Sequence, residues 1–239
     1  MIVGIVLVIV CPIVGIVLTT YALKWGNIAH LIRDVPTTPV GQISEGLTEV
    51  KGAVSALSEE LISPMTRTHC VYFRFVVKEK KSSGKNSYWK TIIDDQQYAT
   101  CLIEDDTGGC EVDIAASKLL LAVDYHCRSG TFNDAPSQLE ETLAEYGRTS
   151  QGIVFNKAMR YEETVLEVGD NMYVLGEVVP REGEFPLITK VDTEFIVSDK
   201  SERELLTSYS LYATVCWAGM VVCGAGTGVG LFLLAINLL

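Results

Sequence analysis

The chain has 239 residues, 48% of them hydrophobic, with a mean hydropathy of +0.26 and a formal net charge of -11. So apolar a composition excludes an ordinary soluble domain over the whole length, and the acidic balance opposes binding to nucleic-acid phosphates. All 19 Lys/Arg and all 30 Asp/Glu lie within residues 24–208, which leaves an uncharged apolar stretch at each end.

The first stretch is MIVGIVLVIVCPIVGIVLTTYAL, residues 1–23. An uncharged apolar run of roughly 18 residues or more reads as a membrane span. It has no basic n-region, no following A-x-A site and an apolar core about twice the length of a signal h-region, so it reads as a retained anchor. Pro12 is tolerable in a membrane helix and would kink it. Residues 24–40 form a connector, in which KWGNIAHLIRDV continues the helix and PTTP ends it.

From Gly41 to about residue 199 the pattern becomes short alternating runs between Gly, Asp and Ser clusters, which predicts strands. LTEVKGAVSAL (47–57) is the first, with a glycine at a bend. HCVYFRFVVK (69–78) is the clearest, rich in aromatic and β-branched residues. A polar loop, KEKKSSGKNS, is expected next, then TIIDD and the pair around ATCLIEDDTGGCEVDI. RYEETVLEVGDNMYVLGEVV (160–179) reads as a second hairpin turning at Gly169-Asp170, with Gly176 admitting another backbone. LITKVDTEFIV (187–197) is the last strand. PSQLEETLAEYG (136–147) breaks the β pattern: Pro at the start, Leu139 and Leu143 four apart, and Gly147 at the end predict a short helix. Five or six strands with one helical insert suggest a small OB-like barrel.

Ser201-Glu202-Arg203-Glu204 fits a capping box. It starts a helix that runs into the second uncharged stretch, Tyr209–Leu239, so that residues 200–239 form a helix leading into a second span. Gly224/Gly228 and Gly226/Gly230 each have G-x-x-x-G spacing, a pattern that lets membrane helices pack closely. The first span is the expected packing partner, with self-association into a homo-oligomer as the alternative. Lys24, Arg33, Lys200 and Arg203 flank the spans on the domain side. The positive-inside rule then places the β domain in the cytoplasm and both termini outside, in a two-span multi-pass arrangement.

CLIEDDTGGC, residues 101–110, resembles a metal, phosphate or disulfide site at first sight. Side-chain parity says otherwise. Cys101 and Ile103 share a face, as do Cys110, Val112 and Ile114, whereas Glu104, Glu111 and Asp113 lie opposite. This is a half-buried hairpin turning through Asp105 and Asp106, with Gly108 or Gly109 expected to supply a positive φ in a three- to five-residue loop. The simplest pairing sets Cys101 opposite Cys110. A weak cation site and a Cys101–Cys110 disulfide remain alternatives. The acids lack the calcium-loop pattern, and no Lys-Ser/Thr follows the glycines. His69-Cys70 and His126-Cys127 could be imagined as zinc or nucleophile pairs, but strand neighbours face opposite sides, and C-x2-C spacing is absent. No catalytic motif, metal site or cofactor is expected. The basic run Lys78–Lys85 reads as a solvated tip or a contact with anionic headgroups.

The order of segments resembles the GIDE domain family, also called BAM. The pieces are EVKGAV (49–54), SPMTRTHCVYFRF (63–75), Trp89, IEDDTGGCEVD (103–113), RYEETVLEVGD (160–170) and LGEVV (175–179). The resemblance covers roughly residues 40–200 and the two-span layout. The family includes the mitochondrial-anchored ubiquitin/SUMO ligase MAPL and prokaryotic membrane proteins. It implies a β-rich domain beside a membrane and an E3 ubiquitin ligase connection. In the ligases a RING finger with eight Cys/His zinc ligands carries the activity. Residues 24–208 here hold four Cys and three His, too few for that. The resemblance therefore carries over the anchored domain and not ligase chemistry.

The resulting expectation is a membrane-anchored scaffold that binds the bilayer and a protein partner, with Glu104, Glu111, Asp113 and Trp89 as candidate partner surface. Two rival readings are a component of an E3 system with a separately encoded RING, and an NfeD-like accessory of membrane protein quality control.

Overall fold

The computed structural model describes residues 2–130, 133–152, 156–181 and 183–236. Met1 and residues 237–239, counted into the spans above, lie outside the described residues. The described residues include three α-helices: α1 (Ile2–Asp34), α2 (Ser137–Glu145) and α3 (Glu202–Ile236). The chain forms two compact units, residues 37–200 and the pair of end segments 1–36 and 201–239.

In the end-segment unit, α1 and α3 pack antiparallel. Gly4 meets Gly230, Gly219 meets Leu18, and the Trp25 ring lies 5.5 Å from that of Tyr209. Both helices are long and apolar enough to cross a membrane, with mean hydropathies of 3.0 and 2.0 over their most apolar windows. Pairing covers one stripe of each helix and leaves Ile5, Ile9, Ile13 and Val17 on α1 and Val215, Val222 and Phe232 on α3 exposed. Such outward apolar faces suit lipid contact, and the pair fits a membrane protein with two spans. The capping box at the start of α3 is formed. The Ser201 backbone N–H donates to Glu204 Oε2 at 2.9 Å, and the Glu204 N–H donates to Ser201 Oγ at 3.4 Å.

In unit 37–200 the strands in chain order are β1 (Gly46–Ala56), β2 (Leu61–Ile62), β3 (His69–Ser83), β4 (Asn86–Tyr98), β5 (Cys101–Asp105), β6 (Gly108–Val112), β7 (Lys118–Leu120), β8 (Tyr125–Ser129), β9 (Met159–Glu167), β10 (Asn171–Val179), β11 (Leu187–Thr189) and β12 (Ile196–Ser198). Five close into an OB-like barrel in the order β1-β5-β6-β11-β10, with β10 returning to β1. The β6–β11 contact is parallel and the other four are antiparallel. Closure depends on β1, whose residues 46–53 pair with β10 and 53–56 with β5. The bend lies at Gly52, where an added Cβ would sit 2.2 Å from the Glu104 carbonyl oxygen. A glycine is needed there because β5 passes directly over it.

The barrel is not the whole domain. A second sheet runs β8-β9-β3, with β2 and β4 on the far edge of β3. Two insertions build it: β2–β4 between barrel strands β1 and β5, and β8, α2 and β9 between β6 and β10. Leu139 and Leu143 of α2 pack on Phe73, Phe75, Val77 and Tyr161 to make a core separate from the barrel's. At the junction β3 and β9 are buried on both faces. Tyr72 and Leu166 enter the barrel core while their neighbours Phe73 and Val165 enter the other. Burying side chains of this size contributes about 1.5–3 kcal/mol each.

Several sequence expectations are corrected. The polar segment 78–87 is not a loop: β3 and β4 continue through it, Ser83 pairs with Asn86, and Gly84 (φ 60°) opens a two-residue turn. Residues 160–179 are not a hairpin. β9 pairs with β3 and β8, whereas β10 pairs with β1, β11 and β12. Gly169 (φ 94°) and Asp170 instead carry the chain from one sheet to the other, and this corner is bonded to Val54 of β1 through both backbone groups of that residue. The last run, 187–197, splits into β11 and β12. The intervening turn is tied by Glu177, which accepts from the Asp192 and Thr193 N–H groups and the Thr193 hydroxyl. These bonds hold the Glu177 carboxyl below its usual pKa range. Gly176 admits the Phe195 ring and the Ile188 side chain rather than a backbone.

Candidate interaction surfaces

The β5–β6 hairpin is tighter than its sequence suggested. Asp105 pairs with Gly108, so the turn is Asp106-Thr107. Neither Gly108 nor Gly109 has a positive φ. Their lack of a side chain serves packing: Gly41 presses on Gly108 and the Phe185 ring on Gly109. Asp105 organises the turn. Its Oδ1 accepts from the Thr107 N–H at 2.7 Å, the Thr107 hydroxyl and the Gly108 N–H, while Oδ2 accepts from the Val40 N–H at 2.8 Å. The Thr107 hydroxyl, then the Val40 N–H, hold its carboxyl below the usual range.

The register puts Ile103 opposite Cys110 and Cys101 opposite Val112, which corrects the expected Cys101/Cys110 pairing. Both thiols are free and fully buried. Burial pushes each up to about 12, and pushes Cys70 up to about 11. Such thiols stay protonated at neutral pH, unsuited to metal ligation or nucleophilic attack. His69, beside Cys70, is exposed and paired with Glu60 at 3.2 Å.

The candidate acidic surface is divided by its own bonds. Glu104 is exposed. Glu111 is paired with Arg181 at 2.7 Å, and its side chain is 17% exposed. Asp113 accepts from the Thr189 hydroxyl at 2.9 Å and caps the short turn 114–116 through the Ala116 N–H. Glu111 and Asp113 border a groove of about 260 Å³ that also involves Tyr98, Thr100 and Leu187. Trp89 is not part of this surface. It lies on β4 in the second sheet, where the Arg160 guanidinium stacks 4.0 Å from its ring centroid.

Two fully buried carboxylates are marked by no sequence motif. Glu163, fully buried, accepts from the Ser63 and Thr66 hydroxyls and from the Met65 and Thr66 N–H groups. Glu49, also fully buried, accepts from Thr37 and Tyr173. Parity could have found Glu163, since it shares a face with Tyr161 and Val165.

On the paired helices, added Cβ atoms at Gly226 and Gly230 would meet Cys11 and Leu7 of α1 at 3.0 and 2.8 Å, whereas Gly224 and Gly228 have open space. Residues 75–232, from the middle of β3 to near the end of α3, match the GIDE family model, described as E3 Ubiquitin ligase. The chain belongs to the GIDE family. No curated protein and no solved structure matches it. The GIDE match takes in part of β3, β4 to β12, α2 and most of α3, with β1 and β2 lying before it, so it draws together segments that the fold distributes over two compact units. Among the described residues of this GIDE protein, no group of three or more His, Cys, Asp and Glu is placed to hold a metal.

Proposed function

We propose that this GIDE protein is a membrane-anchored scaffold of the E3 ubiquitin ligase-like family, which presents to a protein partner a β domain whose own residues do not form a RING. The observation that carries this reading is the state of the domain cysteines. Cys70, Cys101 and Cys110 fill hydrophobic cores, and the seven Cys and His of residues 24–208 fall short of eight zinc ligands. What the domain offers outward is the exposed Glu104 and the groove beside Glu111 and Asp113. A partner of complementary positive charge fits that edge.

Chemical cross-linking in native membranes, followed by purification in mild detergent, tests the reading. A defined partner whose cross-link weakens in Glu104→Arg supports it. Recovery of the chain alone under all conditions overturns it. The family description favours one further reading, docking of a separate RING protein on this domain. Identification of a RING protein as the cross-linked partner would select it.

A further inference from the structure

We propose that the face of the second sheet around Arg128 and Arg160 binds a phosphate group. Arg128 of β8 stands directly opposite Arg160 of β9. Like charges in that position destabilise an antiparallel pair. Neither member of this pair has a carboxylate partner among the described residues. Arg160 is also held in place: its guanidinium lies 4.0 Å from the Trp89 ring centroid, an arrangement that fixes the plane of its donors. Its Nε is buried with no hydrogen-bond partner. Natural interiors rarely leave such a donor unsatisfied.

A cavity of about 250 Å³ is lined by both arginines together with His126, Cys127 and Glu162. Glu162 does not answer the arginines, because Lys78 engages it at 2.7 Å. Two guanidinium forks offer more donors than the two oxygens of a carboxylate can accept. The three or four oxygens of a phosphate match them, with bidentate geometry. The phosphate could be free or belong to a lipid headgroup, and the two sources present the same oxygens to the forks.

The test uses the full chain in an uncharged, phosphate-free detergent, with thermal unfolding as readout. Inorganic phosphate should raise the Tm saturably relative to chloride of equal ionic strength, by mass action. Glycerophosphoglycerol, a soluble phosphodiester headgroup, forms the second arm. A response to both probes assigns the site to headgroup-type diesters. A response to inorganic phosphate alone assigns it to free phosphate. In either case Arg128→Gln and Arg160→Gln should each weaken apparent affinity tenfold or more. Arg128→Gln in chloride should unfold no earlier than the parent, because a like-charge contact is removed. No saturable response to either probe, or a response unchanged in both variants, overturns the proposal.

Discussion

Gly4 and Gly230 face each other across the helix pair, and a Cβ added to either would lie 3.0–3.1 Å from the other's carbonyl oxygen. This is a close approach of two helix backbones, and small residues are what permit it. Gly230→Leu should therefore weaken the pairing of α1 and α3 by about 1–3 kcal/mol. Gly228→Leu, at a position with open space, should leave it unchanged. Titration with a denaturing detergent reads this through Trp25, which packs on Tyr209 and Tyr212, in a chain with Trp89 and Trp217 replaced by Phe.

Barrel closure has its own sensitive positions. A Cβ at Gly52 meets backbone, the Glu104 carbonyl at 2.2 Å, which no rotamer change relieves. At Gly176 it meets side chains, Phe195 at 2.6 Å and Ile188 at 2.8 Å, which can shift. Gly176→Ala should cost about 1–3 kcal/mol, typical of overpacking, and Gly52→Ala more. Chemical unfolding midpoints of the two variants should fall in that order.

Glu163 joins the Ser63–Thr66 turn to β9 from a fully buried position. Glu163→Ala removes the acceptor and strands the donors of Met65 and Thr66, at a cost of about 3 kcal/mol or more. The observable is a lower unfolding midpoint with accelerated hydrogen exchange at Met65 and Thr66. An unchanged midpoint would show that water replaces the carboxylate.

Asp105 sets an acid limit for its hairpin. Its carboxyl is held below the usual range by the Thr107 hydroxyl and the Val40 N–H. A depressed carboxylate contributes stability that is present above its unfolded value near 3.8 and lost as pH falls through the lower folded value. Asp105→Asn should be less stable than the parent at neutral pH, and the difference should shrink below about pH 4. Unfolding midpoints measured from pH 6 to pH 2 report this.

The basic residues that flank the spans lead us to propose a cytoplasmic β domain. A cysteine placed at Lys85, in the β3–β4 turn, should react with an impermeant maleimide only after the membrane is opened. Background is low because Cys70, Cys101 and Cys110 are buried with thiols pushed up to about 11–12. Cys127 is half-buried and is replaced by Ser in the same chain. Labelling of intact cells would reverse the topology.

The amino-acid sequence by itself determined the features that depend on local chemistry. Two uncharged stretches specify α1 and α3, Ser201 and Glu204 specify the cap, and Pro136, Leu139, Leu143 and Gly147 specify α2. Parity around DDTGG separated the buried Cys101, Ile103 and Cys110 from the exposed Glu104, but Leu102, on the Glu104 face by parity, is buried as well. Only the tertiary structure decided which strands are neighbours. Alternation with period 2 looks the same whichever strand lies alongside, so RYEETVLEVGDNMYVLGEVV reads as a hairpin although its halves belong to different sheets. The same ambiguity concealed the second sheet, the Cys101–Val112 register and the stacking of Arg160 on Trp89. Each joins residues far apart along the chain or set by strand register, and their proximity arises from burying two hydrophobic cores together, not from any short-range signal.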